Sequence, residues 1–251
     1  MKPLVISALA FVLVLAGAML GMYFRKVVST DHLRDDVKDV VRLSTGLIGT
    51  IAALVLGLLI ASAKNSYDAR VTQFKQITAN VVLLDLLLEQ YGADAQNLRG
   101  VLRLGVPMMV ERITNEGRSG KATPFETTSE AQRFIVRIQE LKPNTEAQHS
   151  LQTRIINAVF QLAQSRLALY TQSHDSIPAP FLTILIFWLA IIFASFGLFV
   201  RPVPVVIVTF VVGALSVSGA LFLILEMDQP FAGMFQISTE ALTHALAPIG
   251  G

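Results

Sequence analysis

The sequence contains no cysteine and few charged residues. The absence of cysteine excludes disulfide bonds, thiolate metal ligands and cysteine nucleophiles, and it leaves the redox compartment of the protein open. Charged residues make up 15% of the 251 residues, hydrophobic residues make up 53%, and the mean hydropathy is +0.59. Such values are too apolar for a soluble domain and are typical of an integral membrane protein. A net charge of +2, with no block of lysine and arginine, gives no reason to expect a nucleic-acid partner.

The sequence also lacks the common catalytic motifs. It has no HExxH, GxSxG, P-loop or GxGxxG pattern. Its four histidines have no carboxylate or cysteine partners at the spacing of metal ligands; they are His32, His149, His174 and His244. We therefore expect no enzymatic activity, no cofactor and no metal ion. The apolar runs contain no chain of acidic and basic groups, which disfavours a proton-driven transporter.

Four long apolar runs dominate the sequence. They cover residues 4–24, 43–63, 181–200 and 205–225. Each has about twenty residues, which is enough for a helix to cross a hydrocarbon layer of roughly 30 Å. A cleaved signal peptide is the alternative for the first run, with Ala16-Gly17-Ala18 as its cleavage site. The run continues past this site to Phe24, which favours an uncleaved helix. The sequence thus predicts an all-α membrane protein with four transmembrane helices.

The second apolar run does not end where a membrane would end. Residues 64–91 follow without proline or glycine, and Gly92 is the first residue that interrupts the pattern. Apolar side chains recur in this segment every three or four positions, which is the period of an α-helix. They are Tyr67, Val71, Phe74, Ile77, Val81, Leu84, Leu88 and Tyr91. The sequence therefore predicts one long helix that begins in lipid and ends in water.

Residues 65–177 are more polar and predict a helical layer between the two pairs of membrane spans. Pro107 predicts a break or kink in a helix of this layer. Residues 113–129 are rich in glycine, serine, threonine and proline and predict a loop. Two further helices are predicted at 130–141 and from 145 to about 174. We divide the chain into 1–64 (two spans with a short connector), 65–177 (the helical layer) and 178–251 (two spans with a C-terminal amphipathic helix).

The second run carries small and polar residues at spacings of three and four, which places them on one helix face. This small-residue stripe consists of Gly46, Thr50, Ala53, Gly57, Ala61 and Lys64. One interpretation is a packing surface, because small residues let helices approach closely in lipid. The other is a pore wall, where copies of the helix around an axis leave room for a hydrated ion. In a pore, the neighbouring Ile51, Leu54 and Leu58 are candidates for an apolar constriction that gates by dewetting.

Two segments combine residue types in a recognisable order. LLIASAKNSYDARVTQFKQI, from Leu58, joins a leucine-rich run to a basic residue, an asparagine, a tyrosine and mixed charges. LFLILEMDQPFAGMFQISTEALTHAL, from Leu221, joins an apolar span to two acids, Pro-Phe, a glycine and an amphipathic segment. These motifs resemble those of the bestrophin-like family of bacterial and plant membrane proteins, a family of unknown function. The motif residues are Asn65, Tyr67, Arg70, Glu226, Asp228, Pro230, Phe231 and Gly233.

The resemblance extends more distantly to true bestrophins, which are oligomeric ion channels. It implies a homo-oligomeric ion channel in which the second span lines the pore. It also implies a multi-pass protein of the bacterial inner membrane whose two ends and helical layer are cytoplasmic, although the basic residues near the spans do not decide the orientation. The expected partners are the lipid bilayer, further copies of the chain and an inorganic ion. A non-conducting scaffold whose helical layer binds a partner protein is the second hypothesis, and a small-solute transporter is the third.

Charged residues at the predicted membrane edges allow two interpretations each. Lys64 and Arg70 either snorkel and anchor the helix or form a basic ring that draws anions to a pore mouth. Glu226 and Asp228 either pair with these basic residues and cap a turn, or bind a divalent cation. The run of consecutive acids that forms the calcium clasp of animal bestrophins is absent, so we predict no metal site. Asp68 and Asp85 lie on the same predicted helix, so the local sign of charge is mixed and ion selectivity is left unassigned.

Overall fold

The computed structural model describes residues 3–27, 35–119, 124–172, 179–228 and Met234. Within these residues the secondary structure consists of α-helices, one short 3-10 turn at Ala93–Ala95 and connecting turns, with no strand, which confirms the predicted fold class. The helices are α1 (Pro3–Val27), α2 (Asp35–Tyr91), α3 (Gln96–Ser119), α4 (Pro124–Gln139), α5 (Glu146–Gln172), α6 (Ala179–Phe199) and α7 (Pro204–Met227). Pro230, Phe231, Gly233 and the predicted C-terminal amphipathic helix lie outside the described residues.

Four helices of the described chain are long and apolar enough to cross a membrane. They contain the stretches Pro3–Arg25, Lys38–Tyr91, Pro180–Phe199 and Pro204–Met227. The four predicted spans are therefore confirmed as helices of suitable length and composition. Residues 201–203 form a short turn between the last two spans. Pro204 fits the start of α7 because the first N–H groups of a helix have no intrahelical acceptor to lose.

Helix α2 is continuous over 57 residues. At about 1.5 Å per residue it is roughly 85 Å long, nearly three times the hydrocarbon thickness of a bilayer. Residues 43–63 are the longest uncharged stretch of α2, so the part that suits lipid ends near Lys64. The predicted long helix is confirmed. It begins at Asp35, earlier than expected, so the charged residues just before the span belong to the same helix.

The described helices form two compact units. The first unit comprises the chain up to Asn65 together with Ile177–Asp228, and the second comprises Ser66–Ser176. In the first unit, α1 packs against α6 and α7, and the first part of α2 completes the apolar core. Representative core residues are Ala10 and Val14 of α1, Ala52 and Leu59 of α2, Leu185 of α6, and Leu221 and Ile224 of α7.

Helices α1 and α6 approach each other at backbone contact distance. A Cβ atom at Gly17 would lie 2.6 Å from a carbonyl oxygen of α6, and one at Gly21 would overlap the carbonyl oxygen of Ala194. From the opposite side, a Cβ at Gly197 would overlap the carbonyl oxygen of Ala18. Two glycines four residues apart are the arrangement that lets membrane helices pack closely. This contact was not predicted, although its Gly-x-x-x-Gly signal is visible in the sequence.

The second unit is a bundle of the polar part of α2 with α3, α4 and α5. Its apolar clusters join Leu84 and Leu88 of α2 to Ile138 and Ile155 of the later helices, and Ile77 to α3. The predicted apolar face of the long helix is confirmed where it enters this core. Its buried members are Phe74, Ile77, Val81, Leu84, Leu88 and Tyr91.

The predicted loop at 113–129 is wrong for most of its length. Helix α3 continues to Ser119, and α4 begins at Pro124, which is tolerated at the first position of a helix. Ile113 is buried in the core of the second unit, and such tertiary packing outweighs the weak helix propensity of the residues that follow. Pro107 lies inside α3 without breaking it, although it cannot donate a backbone hydrogen bond there.

Candidate functional site

In its uncharged part, α2 buries one face against the other helices of the first unit. The buried residues on this face are Thr45, Ala52, Leu59 and Ala63. They are spaced by seven or four residues, as expected for one side of a helix. Ala52, Leu59 and Ala63 belong to the same apolar core as Leu185. Through this face, α2 packs against the other helices of the first unit.

The small-residue stripe lies on a different face of α2. At about 100° per residue, its centre is roughly 130° around the helix from the centre of the buried face. All six members of the stripe are exposed. A Cβ atom on Gly46 or Gly57 would meet no other atom within 4 Å, and Thr50 Oγ1 donates a 2.9 Å hydrogen bond to the carbonyl oxygen of Gly46. Within the described parts of the chain, no helix covers the stripe.

The three candidates for a constriction are also exposed. The exposed fractions are 40% for Ile51, 65% for Leu54 and 71% for Leu58. With Leu43 and Leu47 they form an exposed ridge of large apolar side chains beside the stripe. The stripe and the ridge both point away from the core of their own unit, so lipid, another copy of the chain or a pore must face them.

The motif residues after the span differ in burial. Lys64 and Asn65 are exposed, Tyr67 is half-buried, and Arg70 is only 2% exposed. Lys64, Tyr67 and Arg70 each interact with another residue. Burying a guanidinium group costs free energy unless its charge is compensated. The burial of Arg70 therefore indicates a structural role within the chain. Of the two basic residues, Lys64 is the one whose side chain reaches the surface of a single chain.

The acids of the second motif lie at the end of α7. Glu226 is 5% exposed and lies in the last turn, and the half-buried Asp228 follows the helix. A carboxylate at a helix C-terminus is disfavoured by the helix dipole, and burial adds a desolvation cost. Both acids interact with another residue of the chain. The described residues contain no group of three or more histidine, aspartate or glutamate side chains placed to hold a metal ion.

A charged cluster that sequence reasoning missed joins α2 to α3 in the second unit. Asp85 lies well beyond the uncharged span, is 5% exposed, and accepts paired hydrogen bonds from two arginines. The distances from Nε and Nη2 to its carboxylate oxygens are 3.0 Å for Arg99 and 2.9 Å for Arg103. Arg99 Nη2 also lies 3.0 Å from a carboxylate oxygen of Glu89. The turn at Gly92, whose φ of 105° suits glycine, brings these distant residues together.

The charged cluster predicts a pH-dependent stability. Hydrogen bonds from Arg103, and then from Arg99, lower the pKa of Asp85 from 3.8 to about 2, against the effect of its burial. Because the pKa is lower in the folded than in the unfolded state, the stabilisation is complete above about pH 5 and is lost as the pH falls toward 2, by about 2 kcal/mol in all. Unfolding measured between pH 3 and 7 should show the stability difference between the parent and Asp85→Asn shrinking as the pH falls. A stability difference that stays constant over this pH range would contradict the lowered pKa of Asp85.

The geometry defines a class of protein: an all-α membrane protein with four apolar helices long enough to span a bilayer and a separate polar helical unit. The family model of the Bestrophin-like domain matches residues 12–242. The chain therefore belongs to the bestrophin-like family, which confirms the resemblance of its two motifs. Neither the curated proteins nor the solved structures provide a match.

Proposed function

We propose that the chain is one subunit of a non-catalytic, homo-oligomeric ion channel whose pore is lined by the small-residue stripe of α2. The channel resides in the bacterial inner membrane, with the second unit in the cytoplasm. The observation that carries the proposal is the exposure of the whole stripe on a helix that is anchored to its own chain by another face. Membership in the bestrophin-like family, with its more distant similarity to bestrophin channels, supports the same function.

The chemistry of the exposed faces favours this arrangement over a stripe that faces lipid. Large side chains such as Leu54 and Leu58 fill the space between lipid chains, whereas Gly46 and Gly57 offer lipid few contacts. Small residues in membrane helices are enriched where another helix comes close. Since each chain supplies one α2, a closed pore requires several copies around a symmetry axis.

The same arrangement assigns roles to the neighbours of the stripe. Glycine and alanine leave the pore wide, and the exposed Lys64 lies at one end of the stripe. Ile51, Leu54 and Leu58 lie beside the stripe and form the apolar constriction, which excludes ions when it loses its water.

The first test is the oligomeric state of the purified protein. Native mass spectrometry of the full chain released from a mild detergent should show a closed ring of roughly four to six copies. A monomer or a dimer would contradict the channel, because two copies of α2 cannot enclose a path for a hydrated ion.

A leucine in the stripe tests the pore directly. We expect Gly57→Leu to lower ion flux into proteoliposomes by about tenfold while the oligomer remains intact, because the added side chain narrows the lumen. Gly219→Leu in α7 is the matched control, because a Cβ there also meets no atom within 4 Å, and it should conduct normally. Loss of assembly in Gly57→Leu would indicate the alternative, a non-conducting scaffold in which the stripe packs helices. Normal flux in an intact Gly57→Leu oligomer would contradict the pore assignment.

A further inference from the structure

The second unit contains a cavity of about 330 Å³ between α2, α3, α4 and α5. This volume is at the lower end of the roughly 300–1,000 Å³ of small-molecule pockets. Most of its wall is aliphatic or aromatic, including Leu84, Val106, Met109, Phe134 and Leu162. The polar side chains of the described lining are four arginines and nothing else, namely Arg112, Arg133, Arg137 and Arg166.

These arginines concentrate positive charge at one cavity. Arg133 and Arg137 are exposed and lie one turn apart on α4, a spacing at which like charges repel. Arg112 and Arg166 approach from α3 and α5, and each also interacts within the chain. Elsewhere in the same unit, Asp85 compensates Arg99 and Arg103 (the charged cluster described above). The described cavity lining provides no carboxylate of its own.

We propose that this cavity binds an amphipathic organic anion, with an acyl chain against the apolar wall and a carboxylate at Arg133 and Arg137. Guanidinium groups form paired, charge-assisted hydrogen bonds with carboxylates, and the aliphatic lining excludes water from the chain. A nucleotide fits less well, because the described lining has no hydroxyl, amide or carboxylate side chain to bond its sugar and base. The site does not depend on whether the chain conducts ions.

Three small molecules separate the contributions of the negative charge and of the acyl chain to binding. Full-length protein in nanodiscs of zwitterionic lipid is equilibrated with octanoate, with the neutral octanamide, or with inorganic phosphate, and empty nanodiscs give the baseline. We expect saturable octanoate binding, at least about tenfold tighter than binding of either other molecule. Equal binding of octanamide would mean apolar partition alone, and equal binding of phosphate would mean a surface anion site. Either result, or the absence of saturable octanoate binding, would overturn the proposal.

Variants then assign the binding to this cavity. Arg133→Gln/Arg137→Gln should weaken octanoate binding about tenfold, whereas Lys142→Gln/Arg154→Gln, which removes two exposed charges outside the lining, should not.

Two glycines of α3 provide a second, independent pair of variants. Gly105 lines the cavity and Gly100 does not, and a Cβ on either meets no atom within 4 Å. Gly105→Leu should therefore block octanoate while Gly100→Leu binds normally. Normal binding by both the double arginine variant and Gly105→Leu would refute the site, and thermal unfolding of each variant confirms that it is folded.

Discussion

A Gly21→Ala variant is expected to be about 2 kcal/mol less stable than the parent, although alanine is the better helix former. The added Cβ atom would overlap the carbonyl oxygen of Ala194. This oxygen belongs to the backbone of α6 and cannot rotate away, so α1 and α6 must separate and lose contacts along their interface. Unfolding of the purified protein by sodium dodecyl sulfate in mixed micelles measures the difference in free energy.

A second glycine provides the control for this prediction. Gly219 of α7 has no atom within 4 Å of an added Cβ, so Gly219→Ala should be neutral or stabilising by up to about 1 kcal/mol. The stability of Gly17→Ala should lie between those of Gly21→Ala and Gly219→Ala. Its Cβ would lie 2.6 Å from the nearest carbonyl oxygen, so the two helices need to move apart by less. Equal stability of Gly21→Ala and Gly219→Ala would contradict the close approach of α1 and α6.

An Asp85→Asn variant is expected to lose about 2 kcal/mol of stability at neutral pH. The amide removes the negative charge, and its N–H₂ group faces the N–H donors of Arg99 and Arg103. Breaking a fully buried ion pair costs roughly 3–5 kcal/mol, but here both arginines retain contact with water, so the loss is smaller. Chemical unfolding of the full chain in detergent, followed by circular dichroism, measures the loss.

Glu89→Gln is the matched control for the charged cluster. Glu89 contacts Arg99 at 3.0 Å, but its side chain is 55% exposed, and exposed ion pairs contribute at most about 1 kcal/mol. We expect little change in stability for this variant. A loss in Glu89→Gln as large as in Asp85→Asn would show that the outer pair, and not Asp85, joins α2 to α3.

Much of the architecture could be predicted because hydropathy and period act along the chain. The four spans, the continuity of α2 through residues 64–91 and its end before Gly92 all follow from apolar length and helical spacing. The predicted loop at 113–129 was wrong because composition alone suggested a break. Packing of Ile113 in the core extends α3 further than local propensity would.

The candidate sites could be predicted less completely from the sequence. The small-residue stripe was found from its spacing, but its two interpretations differ only in what faces the stripe. The charged cluster was missed because Asp85 and Arg103 are 18 residues apart. The arginines of the cavity come from α3, α4 and α5, and no local pattern relates Arg112 to Arg137 or Arg166.

The sequence by itself determined that this chain is an all-α membrane protein of the bestrophin-like family, because apolar length, helical period and two motifs are local properties. Only the tertiary structure decided which face of α2 is anchored, that Gly21 rather than Gly57 lies at a backbone contact, and that four arginines surround one cavity. The physical reason is that burial and charge compensation depend on neighbours brought together by folding. The helical period shows which residues share a face of a helix, and only the tertiary packing determines which residues that face contacts.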